Sequence, residues 1–466
     1  MRVLTTAQAQ AADLAMFERG IPLETLMERA GSCLFEFLER EFARLWEQRV
    51  VVFCGAGNNG GDGLVLARLL ERRVAELQVV NVTDAGDAYD RDATIVVDAL
   101  LGTGFREPVD GRLANLIRAI NDDFPKAKIV AVDVPSAMLV RADYTVTFAA
   151  PKAEMLMSPR ARNIGKLVVA DIGIAPELLE SGLELSEAHD FRSIVRPRAS
   201  DAHKGNFGHV LVVGGAAGKT GAAGMAGLAA LKAGAGLVTV ACSSPSRLAP
   251  ELMTQPLDEI NLAKKTVLAI GPGLGVRRKL VARLLQQAQV PTVIDADGLN
   301  SLAKEDGTAT DFQGRGIHTI LTPHPGEMAR LSGLPAAAPP VAGTPARDGD
   351  RINVARAFAK DHNCCLVLKG YKTLIAFPEG AGSPDGGVWI NPTGSPAMAK
   401  GGAGDILTGL IAGLVAQFPE DIPLAVRAAV WLHGRTGDLA AENLTEQCVL
   451  ATDLLTYLPA AIRECR

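Results

Sequence analysis

The chain has 466 residues, of which 48% are hydrophobic and 48 are glycine, and its formal net charge is −5. The acidic balance excludes a nucleic-acid binder that relies on a basic surface, and the length exceeds one ordinary core, so we expect two domains that act on small molecules. The 7 cysteines form no CxxC pair, and no stretch of about 18 apolar residues occurs, so we expect a cytoplasmic protein with reduced thiols, no zinc site and no membrane span.

The first half of the chain alternates apolar runs with helical patterns. An opening helical stretch through Trp46 precedes a strand at Val50 to Phe53, the glycine loop GAGNNGGDG (55–63) and a helix. Later apolar runs predict strands within 77–82, 94–104, 128–136, 144–150 and 166–174. This alternation is typical of a doubly wound, Rossmann-like α/β domain, which we assign to residues 1–190.

Polar residues interrupt this first series where strands end. The loop GAGNNGGDG lacks the GxGxxG dinucleotide fingerprint, since its two asparagines and Asp62 offer side-chain oxygens and amides. Asn59, Asp98 and Ser136 carry oxygens that can hold a hard cation if the strand ends bring them together, whereas a tight turn with capping side chains explains the loop equally. Asp133 also follows a strand, and it is either a candidate acid or base or a turn residue.

A segment rich in charge and proline, 176–206, separates the two halves, and we place the domain boundary near Phe191. A small-residue helix is predicted at 221–233, among apolar runs within 209–215, 236–242, 266–275, 291–300, 318–327, 364–376 and 387–394. These runs predict a second α/β unit over residues 191–466, which is not a copy of the first.

The stretch NPTGSPAMAKGGAGDILTG (391–409) predicts a glycine-rich loop that opens a helix near its only acid, Asp405. Backbone amides and the helix dipole at such a start attract phosphate, because glycine lets the main chain approach closely. An acid beside a phosphate is costly unless it takes a proton from a hydroxyl that is about to meet that phosphate, as a general base would. The alternative is a helix-capping Asp with no chemical role.

Three further motifs in the second half suit a phosphorylated ligand. LKGYKT (368–373) sets two lysines around a glycine at a strand end, although solvated hairpin lysines have the same pattern. His324 in TPHPGE lies between prolines that hold it in a loop, where it is either a pocket residue or incidental. GPGLG (271–275) either permits close backbone approach to a ligand or forms a plain turn.

Several of these motifs together carry a family resemblance. GNNGGDG, VVDALLGTG and VDVPS in the first half and KGYKT, NPTGSPAMAKGGAGD and TPHPGE in the second resemble the bifunctional NAD(P)H-hydrate repair enzymes. The resemblance covers nearly the whole chain, and the second half is similar to the ADP/ATP-dependent NAD(P)H-hydrate dehydratases, which have a ribokinase-like fold. It implies that the first domain epimerises the R and S forms of hydrated NADH or NADPH. The second domain would dehydrate the S form back to the reduced cofactor.

The resemblance also implies roles for single residues. Potassium ligands of the family match Asn59, Asp98 and Ser136. Substrate contacts of the epimerase match Asp133, Asn58, Asn59, Gly60, Gly61, Asp62, Gly102, Thr103, Gly104, Phe105, Arg106, Glu107 and Pro108. Substrate contacts of the dehydratase match Ala222, Gly273, His324 and Asp405, and its adenine-nucleotide contacts match Lys369, Gly370, Tyr371, Lys372, Thr373 and Gly404.

The implied dehydration agrees with the pattern around Asp405. A ring hydroxyl is a poor leaving group until phosphate from ADP or ATP is transferred onto it, and Asp405 would take the hydroxyl proton. Amides from Gly401 to Gly404 would stabilise the transferred charge, and magnesium would accompany the nucleotide. The resemblance thus implies potassium, magnesium and ADP or ATP, and we expect a homo-oligomer.

One segment departs from the family pattern. The family continues DVPSG with a longer loop, whereas this chain reads DVPSAMLVRADYTVTF (133–148), with Ala137 in place of the glycine. The resemblance places this segment at the lid over the substrate and next to the potassium site at Ser136, so the short loop and Ala137 alter both. The motifs GAGNNGGDG and GTGFREPVDG remain intact, which favours retention of epimerase activity.

Two other functions fit parts of the pattern. A ribokinase-like small-molecule kinase would use the same GAGD loop and Asp405 to make a stable phosphorylated product, although HPGE and NPTGSPAMAKGG argue against it. The first domain would then be a non-catalytic nucleotide-binding module.

Overall fold

The computed structural model of the protein describes residues 1–83, 88–105, 108–157, 160–179, 181–245, 248–333, 348–381 and 386–466. The chain forms two compact units, one of Arg2–Ser181 and one of Gly182–Arg466 together with Met1. Both units are α/β, as the sequence predicts. Among the described helices, none combines the length and apolar character needed to cross a bilayer.

The unit Arg2–Ser181 is built on a six-stranded sheet with the order β2-β1-β3-β4-β5-β6. Every pair of neighbouring strands in this sheet is parallel. The strands are β1 (Arg49–Cys54), β2 (Glu76–Asn81), β3 (Ile95–Ala99), β4 (Lys128–Val132), β5 (Tyr144–Phe148) and β6 (Lys166–Ala170). Their order reverses direction at β1 and β3, and ligands of open parallel sheets bind at such a switch point.

Helices cover both faces of this sheet. They are α1 (Thr6–Glu18), α2 (Leu23–Glu41), α3 (Asn58–Leu70), α4 (Gly111–Asp122) and α5 (Ala153–Met157). Because strand side chains alternate between faces, Val50 and Val52 pack in one hydrophobic cluster with α2 and α3. Val51 and Phe53 pack in a second cluster with α4. The unit is therefore doubly wound, as predicted.

The unit Gly182–Arg466 contains a ten-stranded sheet with the order β10-β9-β8-β11-β12-β13-β14-β15-β16-β7. Strands run parallel from β10 to β14, and β15 is antiparallel to both of its neighbours. The strands are β7 (Leu183–Leu185), β8 (His209–Val213), β9 (Leu237–Cys242), β10 (Met253–Pro256), β11 (Val267–Ile270), β12 (Thr292–Ile294), β13 (Gly316–Leu321), β14 (Cys364–Leu368), β15 (Leu374–Ala376) and β16 (Val388–Ile390).

Two glycines let the central helices of this unit approach each other closely. The helices are α6 (Thr220–Ala233), α7 (Arg278–Gln287), α8 (Asp297–Leu302), α9 (Pro325–Ser332), α10 (Asp348–Asp361), α11 (Ala403–Gln417), α12 (Ile422–Leu444) and α13 (Asp453–Glu464). A Cβ added at Gly409 of α11 would lie 2.0 Å from Ala226 O of α6, and one at Gly413 would lie 2.5 Å from Ala230 O. No side chain larger than hydrogen fits at either position without moving a helix.

The division of the chain lies before the boundary expected near Phe191. The strand β7, which the sequence prediction missed, pairs with β16 and so joins the second sheet. A three-residue strand is too short to show a periodic pattern. The strand β10 was also missed, because this edge strand has mostly exposed residues and ends in proline.

A half-buried ion pair joins the segment after β7 to α12. Arg427 Nη2 lies 2.9 Å from Asp190 Oδ2, and the two side chains are 14% and 19% exposed. The guanidinium also lies 4.8 Å from the ring centroid of Trp389. Arg427→Met should lower the free energy of unfolding of this unit by about 2 to 3 kcal/mol, because Asp190 is left half-buried without its cation.

Urea unfolding followed by the fluorescence of Trp389 and Trp431 checks this expectation. The matched control is Arg196→Met, since Arg196 lies 3.9 Å from Glu420 and both side chains are 63% exposed. Such an exposed pair contributes less than about 0.5 kcal/mol. Equal losses in the two variants would contradict the structural role of the Arg427 pair.

Candidate functional site

A pocket of about 500 Å³ lies in the unit Arg2–Ser181, where the strands of the sheet end. Of the residues that the sequence singles out, it is lined by Asn58, Asn59, Asp62, Gly102, Thr103, Gly104, Phe105 and Asp133. Three others, Gly60, Gly61 and Pro108, are not among the lining residues. Arg106 and Glu107 lie outside the described residues. The strand ends therefore bring most of the predicted polar residues into one cavity.

Gly60 and Gly61 serve helix packing in this structure. A Cβ added at Gly60 would lie 1.9 Å from Gly55 O, and one at Gly61 would lie 2.9 Å from Met27 Sδ. Both glycines therefore let α3 start tightly against the turn after β1 and against α2. That tight start places the neighbouring side chains Asn59 and Asp62 at the pocket wall.

Asp133 forms a buried salt bridge at the base of this pocket. Its Oδ1 lies 2.5 Å from Lys152 Nζ and accepts a hydrogen bond of 2.9 Å from Thr147 Oγ1. Lys152 is only 4% exposed. The backbone of Asp133 is left-handed, with φ of 61°, a conformation that is uncommon outside glycine.

Asp62 lies in the same pocket without a salt bridge among the described residues. It is 8% exposed. Burial, together with the charges of Asp133 and Asp13, raises the pKa of Asp62 to about 8, while Lys152 acts in the opposite direction. At neutral pH Asp62 is therefore mainly a neutral carboxylic acid that can donate a proton.

Asp98 and Ser136 are in direct contact. Ser136 Oγ donates to Asp98 Oδ1 at 2.5 Å, and the Ser136 amide donates to Asp98 Oδ2 at 2.7 Å. Asp98 is fully buried, and burial raises the pKa of this carboxyl to about 6. Across the described part of the chain, no salt bridge reaches it. A buried carboxylate without a cation is costly, so the oxygen-rich surroundings fit a bound monovalent cation.

Asn59 approaches this pair through the loop after β3. A Cβ added at Gly102 would lie 3.6 Å from Asn59 Oδ1, and the neighbouring Leu101 amide donates to Ser136 Oγ at 2.9 Å. The Asn59 Nδ2 atom is buried and has no hydrogen-bond partner among the residues that the structure describes. The three predicted cation ligands thus lie around one short loop, in which Asp98 and Ser136 are in direct contact with each other.

Ala137 occupies a backbone conformation that suits glycine. Its φ is 53°, and that of the next residue, Met138, is 55°. Asn163 Nδ2 holds the turn by donating to Met138 O at 2.9 Å. The short turn therefore forms despite the missing glycine, at some backbone strain, and Ser136 keeps its bonds to Asp98.

In the unit Gly182–Arg466, Asp405 lies in the first turn of α11. The helix is preceded by Gly402, whose φ of 99° is left-handed. The first amides of a helix have no intrahelical acceptor, so the Gly404 and Asp405 amides face the space before α11. A Cβ added at Gly404 would lie 3.4 Å from Lys369 Nζ and 3.6 Å from Asp295 Oδ2. The glycine-rich start of α11 and Lys369, both predicted from the sequence, therefore lie next to each other.

Asp295, immediately after β12, is the buried anchor of this cluster. Its Oδ1 lies 2.7 Å from Lys369 Nζ, and Thr408 Oγ1 of α11 donates to its Oδ2 at 2.7 Å. Lys369 Nζ also lies 3.8 Å from Glu327 Oε2. One lysine therefore lies between two carboxylates and balances the charge of one of them, next to β12, α9 and α11.

The acid cluster changes the proton affinity of Asp405. Burial is the largest cause, and with Asp295 and Asp297 it raises the pKa of Asp405 to about 6, while Lys369 lowers it. Asp405 is therefore mainly ionised at neutral pH, yet accepts a proton more readily than an ordinary aspartate. That is the property required of a general base working near neutral pH.

His433 of α12 supports the start of α11. Its Nε2 lies 2.8 Å from Ala403 O, and burial lowers the pKa of the imidazole to about 4, so the ring is neutral. A carbonyl oxygen accepts only, so Nε2 carries the proton in this tautomer. His433 was not identified from the sequence, because its contact spans two helices.

His324 caps α9 and holds Glu327. The imidazole Nδ1 accepts from the Gly326 amide at 3.0 Å, and the His324 amide donates to Glu327 Oε2 at 2.8 Å. Its side chain is 51% exposed. The predicted histidine thus combines a capping role with an exposed Nε2 beside Glu327, which itself contacts Lys369.

Ala222 and Gly273 lie against each other at the ends of neighbouring elements. A Cβ added at Gly273 would lie 3.1 Å from Ala222 Cβ and 2.6 Å from Lys219 O. Lys219 Nζ in turn lies 3.4 Å from Asp297 Oδ2. Asp297 acts electrostatically on Asp405, so these two predicted positions border the same cluster.

The predicted segment Lys369 to Thr373 forms the turn between β14 and β15. Lys372 Nζ donates to Pro392 O at 2.8 Å, which ties the turn to the NPTG loop. Gly394 of that loop donates its amide to Asp438 Oδ1 at 3.1 Å. Tyr371 is 53% exposed. Lys369 therefore enters the acid cluster, while Lys372 tethers the adjacent loop.

Most residues missed by sequence reasoning have at least one partner that is distant in the chain. Asp295 and Asp297 stand in DADG directly after an apolar run, a position from which acids reach a ligand edge, and this signal would have found them. Glu327 and Thr408 lie inside the motifs TPHPGE and GAGDILTG, which offered a signal for them, whereas nothing local distinguishes Asp13, Lys152, His433 and Asp438. Within the described ranges, no group of three His, Cys, Asp or Glu side chains could hold a metal alone.

Two family models match the chain. One, described as NAD(P)H-hydrate dehydratase, matches residues 210–460. The other, described as YjeF-related protein N-terminus, matches residues 23–94 and 77–154. The matched ranges fall in the two units of the structure.

Relatives match over nearly the full length. The bifunctional NAD(P)H-hydrate repair enzyme of Moorella thermoacetica is 39% identical, over 99% of this chain and 97% of that protein. The one of Escherichia coli (strain K12) is 32% identical, over 97% of this chain and 91% of that protein.

Solved structures match the second unit. The ADP/ATP-dependent NAD(P)H-hydrate dehydratase of Bacillus subtilis, co-crystallised with ATP/Mg²⁺, is 32% identical with a TM-score of 0.52, and the match covers 61% of this chain and 99% of that one. A ribokinase-like superfamily protein of Enterococcus faecalis V583 is 29% identical with a TM-score of 0.51, covering 61% and 97%.

Proposed function

The chain belongs to the family of bifunctional NAD(P)H-hydrate repair enzymes, and from that premise we propose which residues of each unit carry the two reactions. The protein repairs hydrated NADH and NADPH. Arg2–Ser181 is the epimerase unit, which interconverts the R and S hydrates. Gly182–Arg466 is the dehydratase unit, which uses an adenine nucleotide to return the S hydrate to the reduced cofactor.

Asp405 is the general base of the dehydratase in this proposal. It takes the proton of the ring hydroxyl, whose oxygen attacks the terminal phosphorus of ADP or ATP. The bond from that phosphorus to the rest of the nucleotide breaks, which releases AMP or ADP. The phosphorylated hydroxyl then leaves as phosphate, and loss of a ring proton restores the double bond. The observation that carries the proposal is the position of Asp405 in the first turn of α11, with a pKa raised to about 6.

The remaining polar groups of this cluster would bind the two substrates. The Gly404 and Asp405 amides face the space before α11 and suit a phosphoryl group. We assign the nucleotide to Lys369, Gly370, Tyr371, Lys372, Thr373 and Gly404, and the hydrated cofactor to Ala222, Gly273 and His324 beside Asp405. Of these residues, Lys369, Gly404 and Asp405 belong to one acid cluster and Ala222 and Gly273 border it, which supports a shared site.

Magnesium fits the same cluster. Asp295 and Glu327 have carboxylate oxygens 2.7 and 3.8 Å from Lys369 Nζ, too few for a protein-only cage, and they would hold magnesium together with phosphate oxygens. The ion would neutralise charge on the nucleotide phosphates. The Bacillus subtilis relative, co-crystallised with ATP/Mg²⁺, supports this assignment.

A dehydratase assay with the full chain separates this proposal from a small-molecule kinase. Incubation with ADP or ATP and the S hydrate of NADH should restore the absorbance of the reduced ring, since only dehydration regenerates that chromophore. A kinase would consume nucleotide and leave the absorbance unchanged. Running each nucleotide and each hydrate separately identifies the preferred donor and substrate.

The epimerase substrate would bind in the pocket of Arg2–Ser181. We assign it to Asn58, Asn59, Gly60, Gly61, Asp62, Gly102, Thr103, Gly104, Phe105, Arg106, Glu107, Pro108 and Asp133. Eight of these residues line the pocket, and its volume of about 500 Å³ suits a nucleotide-sized ligand. A module that only binds nucleotides would leave the R hydrate unconverted.

We assign potassium to Asn59, Asp98 and Ser136. The full chain should convert the R hydrate faster in potassium chloride than in tetramethylammonium chloride of equal ionic strength, because the larger ion does not fit beside Asp98. Potassium should also raise the unfolding temperature of the epimerase unit by a few degrees.

The isosteric variant Asp98→Asn is the matched test of this site. It removes the charge that attracts the cation, so both effects of potassium should disappear, while dehydration of the S hydrate continues in the same preparation. Equal conversion rates of the unaltered chain in the two salts would refute the potassium site.

We also propose that the enzyme acts in the cytoplasm as a homo-oligomer. All seven cysteines are free in the structure, which supports a reducing compartment. Size-exclusion chromatography with light scattering measures the assembly directly.

A further inference from the structure

Four ionisable side chains from four elements line the pocket of the Arg2–Ser181 unit. Asp13 comes from α1, Asp62 from α3, Asp133 follows β4 and Lys152 follows β5. The wall formed by α2 contributes apolar side chains only, Leu23, Leu26, Met27 and Ala30. Three carboxyl groups therefore share a single ammonium group among the described lining residues.

The ammonium group of Lys152 has no donor left for the other two acids. Its Nζ contacts Asp133 Oδ1 at 2.5 Å, Thr147 Oγ1 at 3.0 Å and Phe148 O at 3.1 Å. A lysine has three N–H donors, and each has a partner here. Asp133 is consequently paired with a cation, whereas Asp62 is buried without one.

Asp13 strengthens the difference in electrostatic environment between Asp62 and Asp133. It lies on α1, outside the residues that the family models match, and it is solvent-exposed at the pocket. Its charge adds to that of Asp133 and to burial in raising the pKa of Asp62 to about 8. The pocket thus holds one carboxyl poised to give a proton and one poised to receive it.

We propose that Asp62 is the proton donor and Asp133 the proton acceptor of the epimerase, and that Lys152 is the positioning residue that assigns these roles. This inference rests on the proposed function of the unit. It adds to that function an acid, Asp62, a direction of proton transfer, and a positioning residue, Lys152.

The reaction balances without an oxidant or reductant. Water adds to the nicotinamide ring at the carbon beside the ring nitrogen, so the nitrogen lone pair can expel the hydroxyl. Asp62 gives its proton to the hydroxyl oxygen, the C–O bond breaks with its electron pair on the departing water, and a C=N bond forms. A water molecule then attacks the opposite face, Asp133 takes its proton, and the C=N electrons return to nitrogen. Solvent carries the proton from Asp133 back to Asp62.

The test measures R-to-S conversion by the full chain across pH in three variants. Asp62→Asn removes the donor with little change of shape, and Lys152→Met removes the cation while keeping an apolar stem. The matched control is Lys166→Met, which removes a lysine that lies on the surface of the same unit, 3.5 Å from Glu41. Dehydration of pure S hydrate in each preparation reports the amount of intact enzyme.

Asp62→Asn should lower kcat about a hundredfold and abolish the fall of activity as pH rises through about 8. Lys152→Met should lower kcat to a similar degree with little change of KM. A loss of kcat without a matching rise of KM is the result expected of a residue that positions the proton acceptor and does not hold the substrate. Lys166→Met should keep the original rate and profile.

Conversion in oxygen-labelled water should place the label on the ring hydroxyl. The inference is overturned if Asp62→Asn keeps its kcat and alkaline limb, if Lys152→Met keeps its kcat, or if no label enters. Loss of folding in Lys152→Met would show as a lost unfolding transition, and Asp62→Asn then carries the test. If the unaltered chain never converts the R hydrate, the proposed function fails instead.

Discussion

Asp405→Asn should reduce dehydratase turnover at least about a hundredfold while leaving nucleotide affinity nearly unchanged. The asparagine side chain keeps the shape of Asp405 in the first turn of α11 but accepts no proton from the ring hydroxyl. The amides of that turn and Lys369, which would hold the phosphates, are untouched. The measurement is steady-state dehydration of the S hydrate at several ADP or ATP concentrations, together with nucleotide binding by calorimetry.

The pH profile of the unaltered enzyme gives an independent check. Because the pKa of Asp405 is raised to about 6, turnover should fall as pH falls through about 6, where the base becomes protonated. Asp453→Asn is the control, since Asp453 also lies in the first turn of a helix, α13, and caps the Leu450 amide outside the cluster. Unchanged turnover in Asp405→Asn would end its assignment as the base.

Lys369→Met should raise the KM for nucleotide at least tenfold and also lower turnover. The lysine is 19% exposed and pairs with Asp295, which is 2% exposed, so its removal leaves a buried carboxylate without a cation. Loss of such a partner also lowers the free energy of unfolding, by about 3 kcal/mol. Kinetics at saturating S hydrate and urea unfolding of the same sample measure the two effects.

The acid limb of the dehydratase profile should move in the same variant. Lys369 lowers the pKa of Asp405, so without it that pKa rises and the limb shifts to higher pH. Lys304→Met is the matched control, because Lys304 forms a surface pair with Asp311 at 3.6 Å. A nucleotide KM that stays the same in Lys369→Met would place the phosphates away from this lysine.

The strands of both units were largely predictable because buried parallel strands are continuous apolar runs, such as Val50 to Phe53. The family assignment and the ribokinase-like fold of the second unit were also predicted correctly, since GAGD and HPGE are local strings. The short edge strand β7 and the polar edge strand β10 were missed because neither has a buried face long enough to produce a pattern.

The sequence indicated the position of a candidate site residue only where the adjacent residues form a recognisable motif. Asp405 follows glycines, so its place at a helix start is visible in the sequence. The partner that sets its charge environment, Asp295, is 113 positions from Thr408, the α11 residue that binds it. Lys152 could not be identified from the sequence for the same reason, because its role depends on a pocket assembled from four elements.

The tight contact between α11 and α6 has a consequence for turnover. Because the backbones of the two helices are in close contact, with no side chains between them at these glycines, the helices have little freedom to move relative to each other. Asp405 on one helix and Ala222 on the other therefore keep a fixed spacing. Under the proposed function, substrate would enter and phosphate would leave by movement of segments other than this helix pair.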